Sequence, residues 1–154
     1  FPLVVHFDGT SVINSWGGYG WNSTGRYIAF TVYYDGLGAG GDLWVADLGD
    51  PSGDGYPNDT PELLRLTGAG RPFGSGAVVE QGAAFAPDSD RLAFVTNLSG
   101  SDRTDSLYTM NAADCIAAVR SEINIASACA VTLVSKGINA RHVDWRPNWP
   151  NPIP

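Results

Sequence analysis

Displaced by 64 residues, the sequence falls onto itself. Trp21-Asn22-Ser23-Thr24-Gly25 lies over Phe85-Ala86-Pro87-Asp88-Ser89, and Ile28-Ala29-Phe30 over Leu92-Ala93-Phe94. With no gap, Leu43-Trp44 meets Leu107-Tyr108, and Asp47 meets Asn111. After a three-residue insertion, residues 63–67 match residues 130–134. A third start occurs at Val143-Asp144-Trp145-Arg146-Pro147, beyond which the sequence is rich in proline. A period of this length means that one supersecondary unit is used more than once, and that each unit buries its apolar face against a neighbour.

Alternation supplies the content of the unit. Residues 27–33 alternate and are rich in β-branched and aromatic side chains, so they read as a strand. Residues 43–48 and 63–67 give two more, and residues 12–21 and 78–85 each supply a strand ahead of a turn. The turns carry their own chemistry: Gly25 tolerates a positive φ, and Pro87 presets φ for a bend. Four short antiparallel strands per repeat is the blade of a β-propeller. The expected fold is therefore all-β: two tandem four-stranded antiparallel blades with partial strands at both termini. Residues 1–11 form an N-terminal strand, 12–68 blade one and 78–136 blade two. Residues 141–147 begin a third blade, and 148–154 are a Pro-rich tail.

Two runs make the comparison more specific. One is Phe85-Ala86-Pro87-Asp88 through Arg91-Leu92-Ala93-Phe94-Val95, with Ser106-Leu107-Tyr108-Thr109-Met110-Asn111 and Val131-Thr132-Leu133. The other is residues 21–31 with Asp42-Leu43-Trp44-Val45-Ala46-Asp47-Leu48 and Arg65-Leu66-Thr67. Together, over residues 16–147, they resemble the TolB-type propeller repeat. The resemblance implies blades that commonly close in sixes, an extracytoplasmic setting and a binding role; the same family includes propellers that cap certain serine peptidases. The chain departs from the pattern at Asn22-Ser23-Thr24-Gly25, where the family prefers Ser-Pro-Asp-Gly, and at Ser89 in place of glycine. Two blades and a fragment do not close a ring.

Charge narrows the partners. The formal net charge is −7, with one lysine, Lys136, and eight scattered arginines. Nucleic-acid binders present a basic stripe to neutralise phosphates, and none is found, so neither nucleic acid nor an anionic membrane surface is an expected partner. No apolar run nears the roughly 20 residues that span a bilayer.

Cys115 and Cys129, with 13 residues between them, are either two buried thiols or a disulfide closing a local loop. The bond would contribute roughly 3 kcal/mol. No histidine lies near the pair, which argues against zinc. Three Asn-x-Ser/Thr triplets, at Asn22, Asn58 and Asn97, fall in expected turns and are the candidate sites of N-linked glycans. With the cysteine pair and the scarcity of lysine, they point to an extracellular, cell-surface or periplasmic protein. Residues 112–130 are the one helix-compatible stretch: Ile116, Val119 and Ile123 keep helical spacing and Asp114 could cap, although an irregular loop fits nearly as well.

Catalytic and cofactor signatures fail on context. Gly36-Leu37-Gly38-Ala39-Gly40-Gly41 has dinucleotide-loop spacing, but a strand follows it where a helix is required. Asp47, Asp50, Asp54 and Asp59 crowd one stretch without calcium-loop spacing and read as a solvated acidic loop, as do Asp102 and Asp105. There is no Gly-x-Ser-x-Gly, and His6 and His142 have no evident serine or acid companions. The expectation is a non-enzymatic module with no cofactor and no metal. Trp16, Trp21 or Trp44 could instead serve as a stacking platform for a glycan.

An incomplete ring should leave blade faces without a neighbour, bearing Phe30, Trp44, Phe94 and Tyr108, together with orphan strands at both ends. Leu3, Val5, Phe7, Val143, Trp145 and Trp149 are the expected assembly residues, and the expected partner is a second copy in a ring or filament, or another protein. The other reading is a segment of a longer propeller protein that gates a hydrolase or peptidase domain.

Overall fold

The computed structural model describes residues 6–7, 11–12, 19–33, 41–49, 61–68, 80–87, 89–96, 105–138 and 143. They are mostly strand. A two-stranded hairpin, β1 (His6–Phe7) with β2 (Ser11–Val12), precedes two four-stranded antiparallel sheets. The first sheet is β3 (Tyr19–Trp21), β4 (Tyr27–Tyr33), β5 (Gly41–Asp47) and β6 (Glu62–Arg65), each hydrogen-bonded to the next in sequence. The second is β7 (Glu80–Phe85), β8 (Arg91–Thr96), β9 (Ser106–Asn111) and β10 (Val131–Ser135), in the same up-and-down order. Between β9 and β10 stand two helices, α1 (Ala112–Ser121) and α2 (Ile125–Ala128).

The 64-residue displacement is visible in the strand register. Phe30 pairs with Trp44, and Phe94 with Tyr108; Ile28 pairs with Ala46, and Leu92 with Met110; Tyr27 pairs with Asp47, and Arg91 with Asn111. The turns repeat as well. The Asn22 N–H donates to the Tyr27 carbonyl at 3.0 Å, and the Ala86 N–H to the Arg91 carbonyl at 2.8 Å. The fourth strand corrects the expected alignment. Val45 takes Leu64, and its counterpart Thr109 takes Thr132, a displacement of 68 where the apolar pattern suggested 67. A one-residue slip exchanges the faces of a strand. Leu64 is accordingly buried, whereas its true counterpart Thr132 is exposed.

The sheets pack face to face, using opposite faces. On the first sheet, Ala29, Val45 and Leu64 are paired across three strands and point one way. On the second, Phe85, Leu92, Met110 and Val131 are paired across four. These two rows meet in one core, with Leu43, Leu66, Ala83 and Phe94. The row equivalent to Phe85, Leu92 and Met110 is Trp21, Ile28 and Ala46, on the far side of the first sheet. That far side holds a second cluster of Ile28, Phe30, Val32 and Ala46, flanked by Trp44, Leu48 and Leu63.

Strand β3 passes β7 at backbone contact. A Cβ built on Gly20 would stand 2.9 Å from the Ala83 carbonyl oxygen and 3.0 Å from the Ala84 Cα. Only a residue without a side chain lets the two backbones approach so closely. Gly20→Ala should therefore force the sheets apart and destabilise by about 2 kcal/mol, read as a lower urea midpoint at unchanged slope.

The helical stretch forms as two helices. Its cap is Asn111 rather than Asp114: the Asn111 side chain accepts from the Asp114 N–H at 3.3 Å, and its amide donates to the Asp114 carboxylate at 2.6 Å. The first of these bonds satisfies one backbone donor that the first turn leaves open, and the second holds the two side chains together. Ala112, Cys115 and Ile116 face the core and Val119 packs against it, but Ile123 lies beyond the helix end and is exposed. Cys115 and Cys129 are joined as a disulfide and both are buried. No helix among the described residues is long and apolar enough to cross a membrane.

Candidate assembly surface

The expected interface residues lie mostly outside the described residues; this holds for Leu3, Val5, Trp145 and Trp149. Phe7 is described and corrects the orphan-strand expectation, because β1 pairs with β2 through Phe7 and Ser11. Val143 is half-buried and is not in a strand. The open faces expected at both ends are also corrected. Phe30 and Phe94 are completely buried, and Trp44 and Tyr108 are each packed against a core cluster. Phe94 is covered because its face of the second sheet is the one that meets the first.

Large apolar side chains do reach solvent elsewhere. Trp21 is 51% exposed although its repeat equivalent, Phe85, is 6% exposed inside the shared core. Ile123 is 63% exposed, Leu133 48% and Val134 55%. The last two lie on β10, which pairs with β9 and ends the second sheet. The corresponding edge of the first sheet is treated differently. Strand β6 carries Glu62 and Arg65, its Leu64 is buried, and α1 packs against it. Charges and covering elements are the usual means of blunting a sheet edge.

An ionic centre joins α1 to the first sheet, and the sequence reading missed it. Asp47 belongs to the end of β5 and is buried, not part of a solvated acidic loop. The Arg26 guanidinium grips it in a fork, Nε to Oδ1 at 2.8 Å and Nη2 to Oδ2 at 2.9 Å, and the Gly49 N–H donates to Oδ1 at 2.8 Å. Arg120, from α1, donates to Asp47 Oδ2 and also to Glu62 at 2.7 Å. Burial alone would raise the Asp47 pKa, but the hydrogen bonds from Arg26, Arg120 and Gly49 outweigh it and hold the carboxyl down at about 2. Paired Arg and Asp at the two ends of a hairpin were legible; the third member, Arg120, is 73 residues away and was not.

A depressed carboxyl stabilises the fold above its unfolded pKa, near 4, and loses that contribution as pH falls toward 2. The full shift corresponds to about 2 kcal/mol, less after screening at the half-exposed Arg26. Asp47→Asn should therefore lower stability by about 2 kcal/mol at neutral pH. The gap from wild type should close progressively between pH 4 and pH 2, as followed by urea unfolding across that range.

Asn22 is the one described glycan candidate; Asn58 and Asn97 lie outside the described residues. Its side chain is built into the turn. Oδ1 accepts from the Tyr27 N–H at 2.9 Å, while Nδ2 donates to Thr24 Oγ1 at 2.9 Å and to Asp90 Oδ1 at 3.4 Å. A glycan would replace one of the two hydrogens on that nitrogen, so one of the two bonds donated by Nδ2 would be given up. Among the described residues, no three His, Cys, Asp or Glu side chains gather as a metal site. Compared with known proteins, the chain matches no family model and no curated protein sequence.

Proposed function

We propose that the chain is a non-enzymatic, extracytoplasmic module of the β-propeller type, resembling the TolB repeat, whose role is protein–protein assembly, with a second copy of itself as the partner. The observation that carries this reading is the opposite-face packing of two equivalent sheets. A contact in which the front of one unit meets the back of the next is the contact by which blades follow one another around a propeller axis. It is heterologous, and it can be extended by further units. The register repeated at 64 residues makes the two sheets equivalent, so each is a blade in this reading. In that reading β3 and β7, the first strands of the two sheets, lie nearest the axis.

An assembly role draws on the exposed apolar side chains of β10 and on the sheet edge that carries them. Apolar surface gathered on an edge strand that carries no charged side chain of its own is a template for pairing with another chain. The buried disulfide fits an oxidising compartment. Solution mass tests the reading. Sedimentation between low and high micromolar concentration should show a concentration-dependent species heavier than the 16.3 kDa chain. A single monomeric species over the whole range contradicts it.

A further inference from the structure

We propose that β10 is a strand-addition site at which two copies of this chain join edge to edge, antiparallel, as a two-fold dimer. The inference rests on the self-association reading and names its contact. Strand β10 ends the second sheet, so alternate backbone N–H and C=O groups along its outer side are directed away from β9. Thr132, Leu133, Val134 and Ser135 are all exposed. Residues 127–135 carry no charge, in contrast to β6, where Glu62 and Arg65 flank the buried Leu64.

Charge selects the occupant. Each copy carries a net −7, so two copies repel one another except where acidic groups are missing. The uncharged strip ends at Lys136, the single lysine, which is exposed. At the other end of β10, Val131 pairs with Met110, the residue before the Asn111 cap, and α1 opens there with the exposed Asp114. An antiparallel pairing centred on Leu133 sets Leu133 against its own copy. It also carries each Lys136 toward the Asp114 end of the other sheet, so opposite charges meet twice. Such a contact is self-complementary and closes at two copies. The register with β9 shifts between Leu133 and Ser135, which shortens the regular ladder open to the partner and weakens the contact.

Sedimentation of the full chain tests this, comparing wild type with Val134→Lys, Lys136→Glu, the double variant Lys136→Glu/Asp114→Lys, and deletions of residues 1–7 or 141–154. The wild type should dimerise. Val134→Lys should weaken the dimer about tenfold or more by placing an ammonium in the contact, with its unfolding midpoint unchanged. Lys136→Glu should weaken it, and adding Asp114→Lys should restore it. Dimerisation of Val134→Lys at wild-type strength overturns the proposal, as does failure of the charge exchange to restore a weakened dimer. Loss of assembly on terminal deletion alone overturns it while leaving self-association standing. A wild type that stays monomeric overturns the self-association reading itself.

Discussion

Replacing Phe94 with alanine should destabilise the chain by about 3–5 kcal/mol. Phe94 is completely buried and lies in the core that both sheets share. Its ring stacks on that of Tyr108, directly across the ladder, with centroids 6.2 Å apart. Truncation removes the transfer energy of the ring and leaves a cavity between two layers that hydrogen-bonded ladders keep from collapsing. A domain of this size is commonly stable by about 5–15 kcal/mol, so the loss is about a fifth of the total or more. Trp21→Ala is the control. Although Trp21 is the repeat equivalent of the buried Phe85, it is half exposed, and its removal should alter stability by under about 1 kcal/mol. Urea unfolding followed by circular dichroism reads both changes. Equal effects would mean that the two faces are not distinguished as described.

Removal of the disulfide, as Cys115→Ala/Cys129→Ala, should destabilise by about 3 kcal/mol. The bond closes a loop across a sequence separation of 14, and the chain-entropy relation for a loop of about that length gives this figure. The loss has a local consequence as well. The loop contains α1, whose Arg120 reaches Asp47 and Glu62 on the first sheet, and α2, a single turn that has no side-chain cap. Freed from the bond, α2 should fray, and helical circular dichroism should fall below that of the wild type before the sheets unfold. The melting temperature should drop by about 6–12 °C. In the native protein both sulfurs should resist a mild reductant, because they are buried, and should react once the chain is denatured. Wild-type melting by the double variant would contradict the role assigned to the bond.

Much of the strand pattern was legible because alternation and turn chemistry are local. Residues 27–33 are β4 as expected, the Gly25 turn has its positive φ of 72°, and the paired rows follow the 64-residue displacement. The fourth strand was misplaced by one residue because an apolar run such as Ala130-Val131-Thr132-Leu133-Val134 fits two registers nearly equally. Pairing with β9 decides between them, and no local signal encodes that pairing. Aspartate is a good cap, so Asp114 could serve as one by residue type, but Asn111 ends β9 and reaches the cap position first. The buried state of Phe30 and Phe94 was missed because a repeat count says how many sheets exist and does not say what else covers them. The Arg26–Asp47–Arg120–Glu62 centre draws its four members from four segments, so Asp47 read as part of an acidic loop and the distant Arg120 as one of the scattered arginines.

The central claim is that two equivalent sheets stack with opposite faces, and that β3 and β7 pass at backbone contact. The most direct measurement is the proton nuclear Overhauser effect between the Gly20 and Ala84 α-hydrogens in solution. The stacking predicts a strong cross-peak, since a Cβ on Gly20 would lie 3.0 Å from the Ala84 Cα. It also predicts a solvent-shielded Phe85 ring beside an accessible Trp21 indole. No Gly20–Ala84 cross-peak, with Phe85 as accessible as Trp21, would contradict it.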